Sequence, residues 1–398
     1  MTHQYFAALE ARPDDPILGL NVLYKQDTRD TKVNLGVGVF LDEEGRLPLM
    51  DAVGQAEARL VKRGAPHNYI PMSGLPAYCQ SLQALVFGAD NEAVLSGRIA
   101  TIQSLGGTGA LHLGAMFAHL LLNLNQAVVS NPTWGNHITL FEHAGFTVGK
   151  YPYFDPTTKA VDFEGLMASL QALEPGTVVL LHACCHNPTG VDLTYDQWTQ
   201  VIEVLQARDL FPFLDIAYQG FGSGLDEDAT AVRRLAAAGM TFMVASSCSK
   251  NFGLYGERTG ALHVVTPNAK EAAVVTSILK SLVRAEYSNP PTHGAAVVAE
   301  ILTDDALRQV WVNEVTTMRT RILAMRHRLK EEGDKLNADL SFATRQTGMF
   351  SFTGLNKDQM LALRETFGVY GVTNGRICIA GFNENNVSYV AKALAGVR

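Results

Sequence analysis

The chain has no excess of basic charge, no CxxC pair and no unbroken apolar run of membrane length, and each absence removes a class of function. Lys and Arg number 32 against 39 Asp and Glu, a net charge of −7. No basic face is implied, which argues against a nucleic-acid partner. The most basic stretch, Arg319 to Lys330, spreads its charges along a helical pattern with an apolar stripe of Met318, Ile322, Met325 and Leu329, and reads as a solvated helix face. Five cysteines (Cys79, Cys184, Cys185, Cys248 and Cys378) are an odd, unpaired set. That fits a reduced, intracellular protein rather than a disulfide framework. The longest apolar segment, Ala110 to Val129, is broken by His112, His119, Asn123, Asn125 and Gln126, so it reads as a buried helix followed by a strand and no membrane span is expected. Met1 to Pro16 places acidic residues and prolines where a signal peptide needs a positive start and an apolar run, and a cytoplasmic address is expected.

What the chain does have is alternation. Apolar runs at Ala127–Ser130, Thr147–Tyr151, Thr177–His182, Phe211–Asp215, Phe242–Ser246 and Ala261–Val265 predict strands, separated by helical stretches such as Gly109–Leu122, Asp196–Arg208 and Ala229–Ala238. This predicts an α/β fold, a mostly parallel sheet with helices on both faces, with ligands beyond the carboxyl ends of the strands. A long helical pattern over Val310–Lys335, then short strands near Phe350–Phe352 and Arg376–Ile379, suggests a smaller α+β domain. The expected division is a large domain over 41–315 and a small one from 1–40 with 316–398.

The most informative segment runs from Ser246 to Gly260: an apolar strand, then Ser247-Cys248-Ser249-Lys250, then a glycine-rich turn carrying Arg258. A lysine at the end of a buried strand is desolvated, which favours the neutral, nucleophilic amine that forms Schiff bases with aldehydes such as pyridoxal phosphate. Ser247, Ser249 and Arg258 are donors able to hold a phosphate beside it. Alone, the segment is also compatible with a surface lysine, so its companions matter. Gly106-Gly107-Thr108-Gly109 opens a helix and offers an anion site, while failing the GxGxxG dinucleotide fingerprint. Trp134, just past a strand, is either core or a stacking surface for a planar ring. His182-Ala183-Cys184-Cys185-His186 tempts a zinc reading, but neighbours along a strand point to opposite faces, so no metal is expected. Asn187, before a proline, is better placed to donate into a site. Asp215 ends an apolar strand and is costly to bury unpaired; a helix cap or a pyridinium nitrogen would each explain it. Tyr218 follows three residues on.

HNPTG, DIAYQGF, SKNFGLYGERTG and YSNPP together resemble the class I, pyridoxal-phosphate-dependent aminotransferases of the aspartate/tyrosine/aromatic subgroup, from Asp15-Pro16-Ile17-Leu18-Gly19-Leu20 to Gly375–Gly381. The resemblance implies fold type I. It makes Lys250 the Schiff-base lysine and proton carrier and pairs Asp215 with the pyridine nitrogen. Tyr218 and Asn187 would meet the phenolic oxygen and Trp134 would stack on the ring. Gly107, Thr108, Ser247, Ser249 and Arg258 would hold the phosphate, with Tyr69 from a second subunit. Arg376, assisted by Asn187 and the Gly38 backbone, would bind the substrate α-carboxylate. Arg284 would reach a distal carboxylate from the neighbouring chain, so a homodimer is implied, with ping-pong kinetics. Gly64–Leu75 and Met318–Arg326 look more like the bacterial aromatic branch, which favours tyrosine and phenylalanine, with aspartate also accepted; an aspartate aminotransferase is the alternative. Cys248 replaces bulkier apolar residues of the family and is expected to be a buried, inert thiol. A pyridoxal-phosphate lyase or decarboxylase would not need Arg284 with YSNPP, and a non-catalytic cofactor-binding regulator would need a DNA-binding appendage for which the chain leaves no room.

Overall fold

The computed structural model describes residues 5–7, 9–11, 15 and 17–398. Much of the Met1–Pro16 segment, including Pro16 of the Asp15–Leu20 motif, lies outside the described residues. Seven strands make the central sheet: β1 Ile99–Leu105, β2 Gln126–Asn131, β3 Thr147–Pro152, β4 Val178–His182, β5 Phe211–Ile216, β6 Phe242–Ser247 and β7 Thr259–Val265. Across the sheet they lie in the order β1-β7-β6-β5-β4-β2-β3. β7 runs antiparallel to both of its neighbours, and every other pairing is parallel. The six expected strands are present with ends moved by one or two residues. β1 is not announced by its sequence, because Thr101 and Gln103 break its apolar run. Both are satisfied by distant groups: Thr101 by Gln83 and His263, Gln103 by the Leu75 amide and the Pro291 carbonyl.

The strands read as apolar runs because both faces are covered. Alternate residues enter opposite cores. Val178, Leu180, Phe213 and Met243 pack on one face; Val179, Leu181, Leu214 and Val244 pack on the other. Helix α1, Gly106–Leu122, covers the first face, approaching so closely that a Cβ on Gly114 would lie 2.5 Å from the Phe213 ring. Helix Tyr195–Ala207 covers the second, its start fixed by a capping box between Thr194 and Gln197. Among the described residues no helix is long and apolar enough to cross a membrane.

The C-terminal part is organised by α2, a 31-residue helix from Asp305 to Lys335, capped where Asp304 accepts from the Leu307 amide. The expected boundary at residue 315 falls inside this continuous helix. Near its start Trp311 stacks on Phe252 and donates to the Asn251 carbonyl at 2.7 Å, one residue beyond Lys250. Strands β8 Phe350–Phe352 and β9 Arg376–Cys378 pair antiparallel, with Phe352 opposite Arg376. Residues Val33–Asn34 pair with Val369–Tyr370, and the Leu35 carbonyl accepts from the Cys378 amide. This carries residues 36–39 over the carboxyl ends of the large sheet's strands.

Three buried histidines are held neutral by desolvation: His182 and His263 are pushed down to about 3, and His186 well below its ordinary value. The unfolded chain protonates them near pH 6.5, so it binds more protons than the folded chain below that pH, and stability falls on acidification. Asp192, raised by burial to about 6, and Asp228, also raised, work in the opposite direction. The histidines outnumber them, so the Tm is expected to drop between about pH 7.5 and about pH 5.5. A thermal-unfolding series that is flat or rises over this range would contradict the neutral assignment.

Candidate active site

The carboxyl ends of β4, β5 and β6, the start of α1 and the segment 37–39 enclose a cavity of about 280 Å³. The register places His182 opposite Asp215 and Asp215 opposite Ala245, so residues far apart in the chain end on one edge. Gly38, Gly107, Thr108, Trp134, Asn187, Asp215, Tyr218, Ser247, Ser249, Lys250 and Arg258 all line it.

Asp215 is 6% exposed, and its Oδ2 accepts from His137 Nε2 at 3.1 Å. Burial alone would raise this carboxyl, but the hydrogen bond from His137, with the Lys250 amine nearby, outweighs burial and holds it below its ordinary value. It is a carboxylate at neutral pH, not a helix cap. Thr133 Oγ1 meets His137 Nδ1 at 2.8 Å, which fixes the ring with Nε2 toward Asp215. Trp134 meets His137 edge-on at 5.1 Å.

Lys250 lies three residues beyond the end of β6. Burial, first, and then the charges of Arg258 and Arg376 push its amine down to about 8, against the opposing pull of Asp215. Its Nζ sits 5.0 Å from the centre of the Tyr218 ring, whose hydroxyl is raised by burial and meets Asn187 Nδ2 at 3.4 Å.

A second cluster gathers donors. Arg258 Nη1 reaches Ser249 Oγ at 3.3 Å, and the Ser249 amide donates to Ser247 Oγ at 3.2 Å. The Arg258 head lies over Gly106, whose φ of +69° is left-handed and suits glycine. α1 begins there with no acidic residue in its first turn, so its amide dipoles face the cluster unopposed. The cluster can hold a phosphate, and the buried Asp215 carboxylate can face a protonated ring nitrogen, so these residues fit pyridoxal phosphate.

Arg376 does not line the cavity wall but reaches it: Nη1 donates to Asn187 Oδ1 at 3.1 Å and Nη2 to the Gly36 carbonyl at 2.6 Å, while Nε has no hydrogen-bond partner among the described residues. Tyr69 and Arg284 stand apart. Tyr69 is 93% exposed; Arg284 is exposed and bonded to Ser288. Asn289 Nδ2 donates to the Ile70 carbonyl at 2.7 Å, joining their two segments into one surface strip.

His137 was not among the residues expected at the site, although it lies three residues beyond Trp134. Its partner lies 78 residues away and nothing local points to it. Nor was Tyr255, which lines the cavity and accepts from the Phe40 amide at 3.0 Å. Cys184 and Cys185 lie in a turn beyond β4, where strand alternation does not apply, and their sulfurs do approach Asp228. Asp228 is already taken by the amides of Gly220, Gly222 and Ser223, and Cys185 is raised to about 12, its bond to Cys184 opposing the burial that raises it, so the group is a satisfied core cluster. Cys248 is buried against Tyr78 and raised by burial to about 12.

Residues 30–394 match the model of the aminotransferase class I and II family, and the chain belongs to that family: it is an enzyme that transfers amino groups. It is 50% identical to the aspartate aminotransferase of Pseudomonas aeruginosa over 98% of this chain and 99% of that one. It is 49% identical to the aromatic-amino-acid aminotransferase of Escherichia coli over 98% and 100%. The crystal structure of an aromatic-amino-acid aminotransferase from Burkholderia pseudomallei, covalently bound to pyridoxal phosphate, superposes with a TM-score of 0.97 at 52% identity, over 99% of this chain and 100% of that one.

In the cofactor-free protein, acylation of Lys250 followed by peptide mass spectrometry should be half-maximal near pH 8. Asp215→Asn should move the midpoint lower, because Asp215 raises it. A midpoint near the ordinary lysine value would contradict the desolvated site.

Proposed function

We propose that this enzyme transfers the amino group of tyrosine or phenylalanine, with aspartate also accepted, to 2-oxoglutarate, as a cytoplasmic homodimer. The observation that carries the reading is the convergence, in one small cavity, of a lysine amine depressed to about 8 and a buried carboxylate, with the Arg376 guanidinium hydrogen-bonded to the Asn187 side chain of its wall. The cofactor is pyridoxal phosphate, which when bound supplies the electron sink for negative charge developing at the substrate Cα. Gly107, Thr108, Ser247, Ser249 and Arg258 would hold its phosphate, Asp215 its ring nitrogen, Trp134 its ring face, and Asn187 with Tyr218 its phenolic oxygen. Lys250, poised near neutrality, takes the Cα proton and returns it on the other side of the reaction. Arg376 orients the substrate by its α-carboxylate, assisted by the Asn187 side chain to which it is hydrogen-bonded. The same reading treats 41–315 as the large domain and 1–40 with 316–398 as the small one.

The preference for aromatic side chains rests on what walls the cavity. Val37, Val39 and Leu111 offer apolar contact from this chain, and the lining cations are Lys250 and Arg258, both already assigned. A distal carboxylate needs another cation, and Arg284 lies on an exposed strip with Tyr69. A groove of about 720 Å³ lined by Val61, Pro66, Leu75, Pro76 and Ala296 continues that strip, and Val61 is 81% exposed. Such an apolar patch suits a second copy, whose Tyr69 and Arg284 would complete this chain's site.

Values of kcat/KM for tyrosine and phenylalanine equal to or above that for aspartate, each with 2-oxoglutarate, are expected; a large aspartate preference would make the enzyme an aspartate aminotransferase. Arg284→Ala should cost aspartate about 100-fold and phenylalanine far less. Equal losses would refute its role. Mixing Lys250→Ala with Arg284→Ala chains should restore about a quarter of the aspartate activity, because hybrid dimers carry one intact site. No recovery would place Arg284 in its own chain's site.

A further inference from the structure

Arg326, on α2, is 1% exposed and forms no ion pair among the described residues. Burial pushes its guanidinium down to about 10, so it remains a cation at neutral pH. A cation at this depth is tolerated only where dipoles replace water, and here four acceptors from one short segment do so. Nη1 donates to the Ala343 carbonyl and Ser351 Oγ, each at 2.8 Å; Nη2 donates to the carbonyls of Gly348 at 2.7 Å and Phe350 at 2.6 Å.

The segment so held carries Phe350, which packs against Arg376 and Gly38 of the carboxylate grip. Its ring centre lies 4.3 Å from the Arg376 guanidinium carbon and 5.6 Å from the Tyr218 ring. It also lies so near Gly38 that a Cβ there would fall 2.6 Å from Phe350 Cζ. The Phe350 carbonyl that Arg326 holds abuts Gly190, where a Cβ would come within 2.6 Å of it. The Thr347 amide bonds the Gly190 carbonyl, tying the segment to the turn that bears Asn187. One buried cation therefore fixes the ring beneath Arg376 and the backbone beside Asn187.

We propose that Arg326 is a positioning residue for recognition of the amino acid's α-carboxylate, acting on Arg376 and Asn187 through the backbone and ring of Phe350. This rests on the reading of Arg376 as the carboxylate-binding group. A planar fork suits four acceptors spread over one segment, and a lysine in its place reaches fewer of them.

The test is a double-mutant cycle on the holoenzyme, with phenylalanine and 2-oxoglutarate as substrates and Tm and the absorbance of the bound cofactor as checks. Arg326→Met should raise the KM for phenylalanine about tenfold while kcat changes less than about threefold, and Arg326→Lys should recover part of the loss. Arg376→Lys should also raise KM, and adding Arg326→Met to it should cost less than about twofold more. An unchanged KM in Arg326→Met, or losses that multiply in the double variant, would overturn the proposal while leaving the role of Arg376 intact. An unchanged KM in Arg376→Lys would instead remove the reading on which it rests. If Arg326→Met does not fold, Phe350→Leu takes its place in the same cycle, with the same non-additive result expected and the same multiplicative result overturning it.

Discussion

A carboxylate buried at the end of a strand must keep a donor, and the contact between Asp215 and His137 is the constraint on which the site depends. Burial alone raises this carboxyl, and the hydrogen bond from His137 is the foremost influence that offsets it. Thr133 fixes the His137 ring, and Trp134 lies edge-on against it, so the surface that would meet the cofactor ring belongs to the same assembly. Lys250 feels the result: Asp215 tempers the depression that burial and two arginines impose, and its amine is left near 8, within reach of both protonation states at neutral pH.

The scaffold makes this placement rigid through close backbone approach. Gly260 on β7 lies where a Cβ would come within 2.5 Å of the Gly106 carbonyl carbon and 2.6 Å of the Ser246 carbonyl, so the start of α1 presses directly on β6 and β7. Trp311 holds the Asn251 carbonyl from α2, anchoring the turn that follows Lys250. The donor cluster and the lysine are thereby tied to separate elements that share one core, which suits a site needing fixed charges and little reorganisation.

Much of the fold and of the site could be read from the residues, for physical reasons. Buried parallel strands such as Val178–His182 and Phe242–Ser247 are apolar throughout and announce themselves. β1 does not, since Thr101 and Gln103 are satisfied by side chains and carbonyls that come together only on folding. Motif residues gathered at the cavity because strand ends of one sheet meet there. His137, Phe350 and Arg326 were illegible for the opposite reason: each acts through partners remote in the chain or through backbone carbonyls, which leave no mark on local composition. Tyr69 and Arg284 lie on an exposed strip away from the cavity, and no single-chain pattern says which copy such residues serve.

In the proposed function Lys250 is the group that moves the substrate's proton. The direct measurement is single-turnover amino transfer by Lys250→Ala holoenzyme, with its Tm recorded beside that of the parent. The account predicts an unchanged fold and a rate lower by roughly four orders of magnitude or more, the scale set by a positioned general base together with its nucleophilic role. Transfer within about tenfold of the parent would contradict it and move the chemistry to another residue of the cavity.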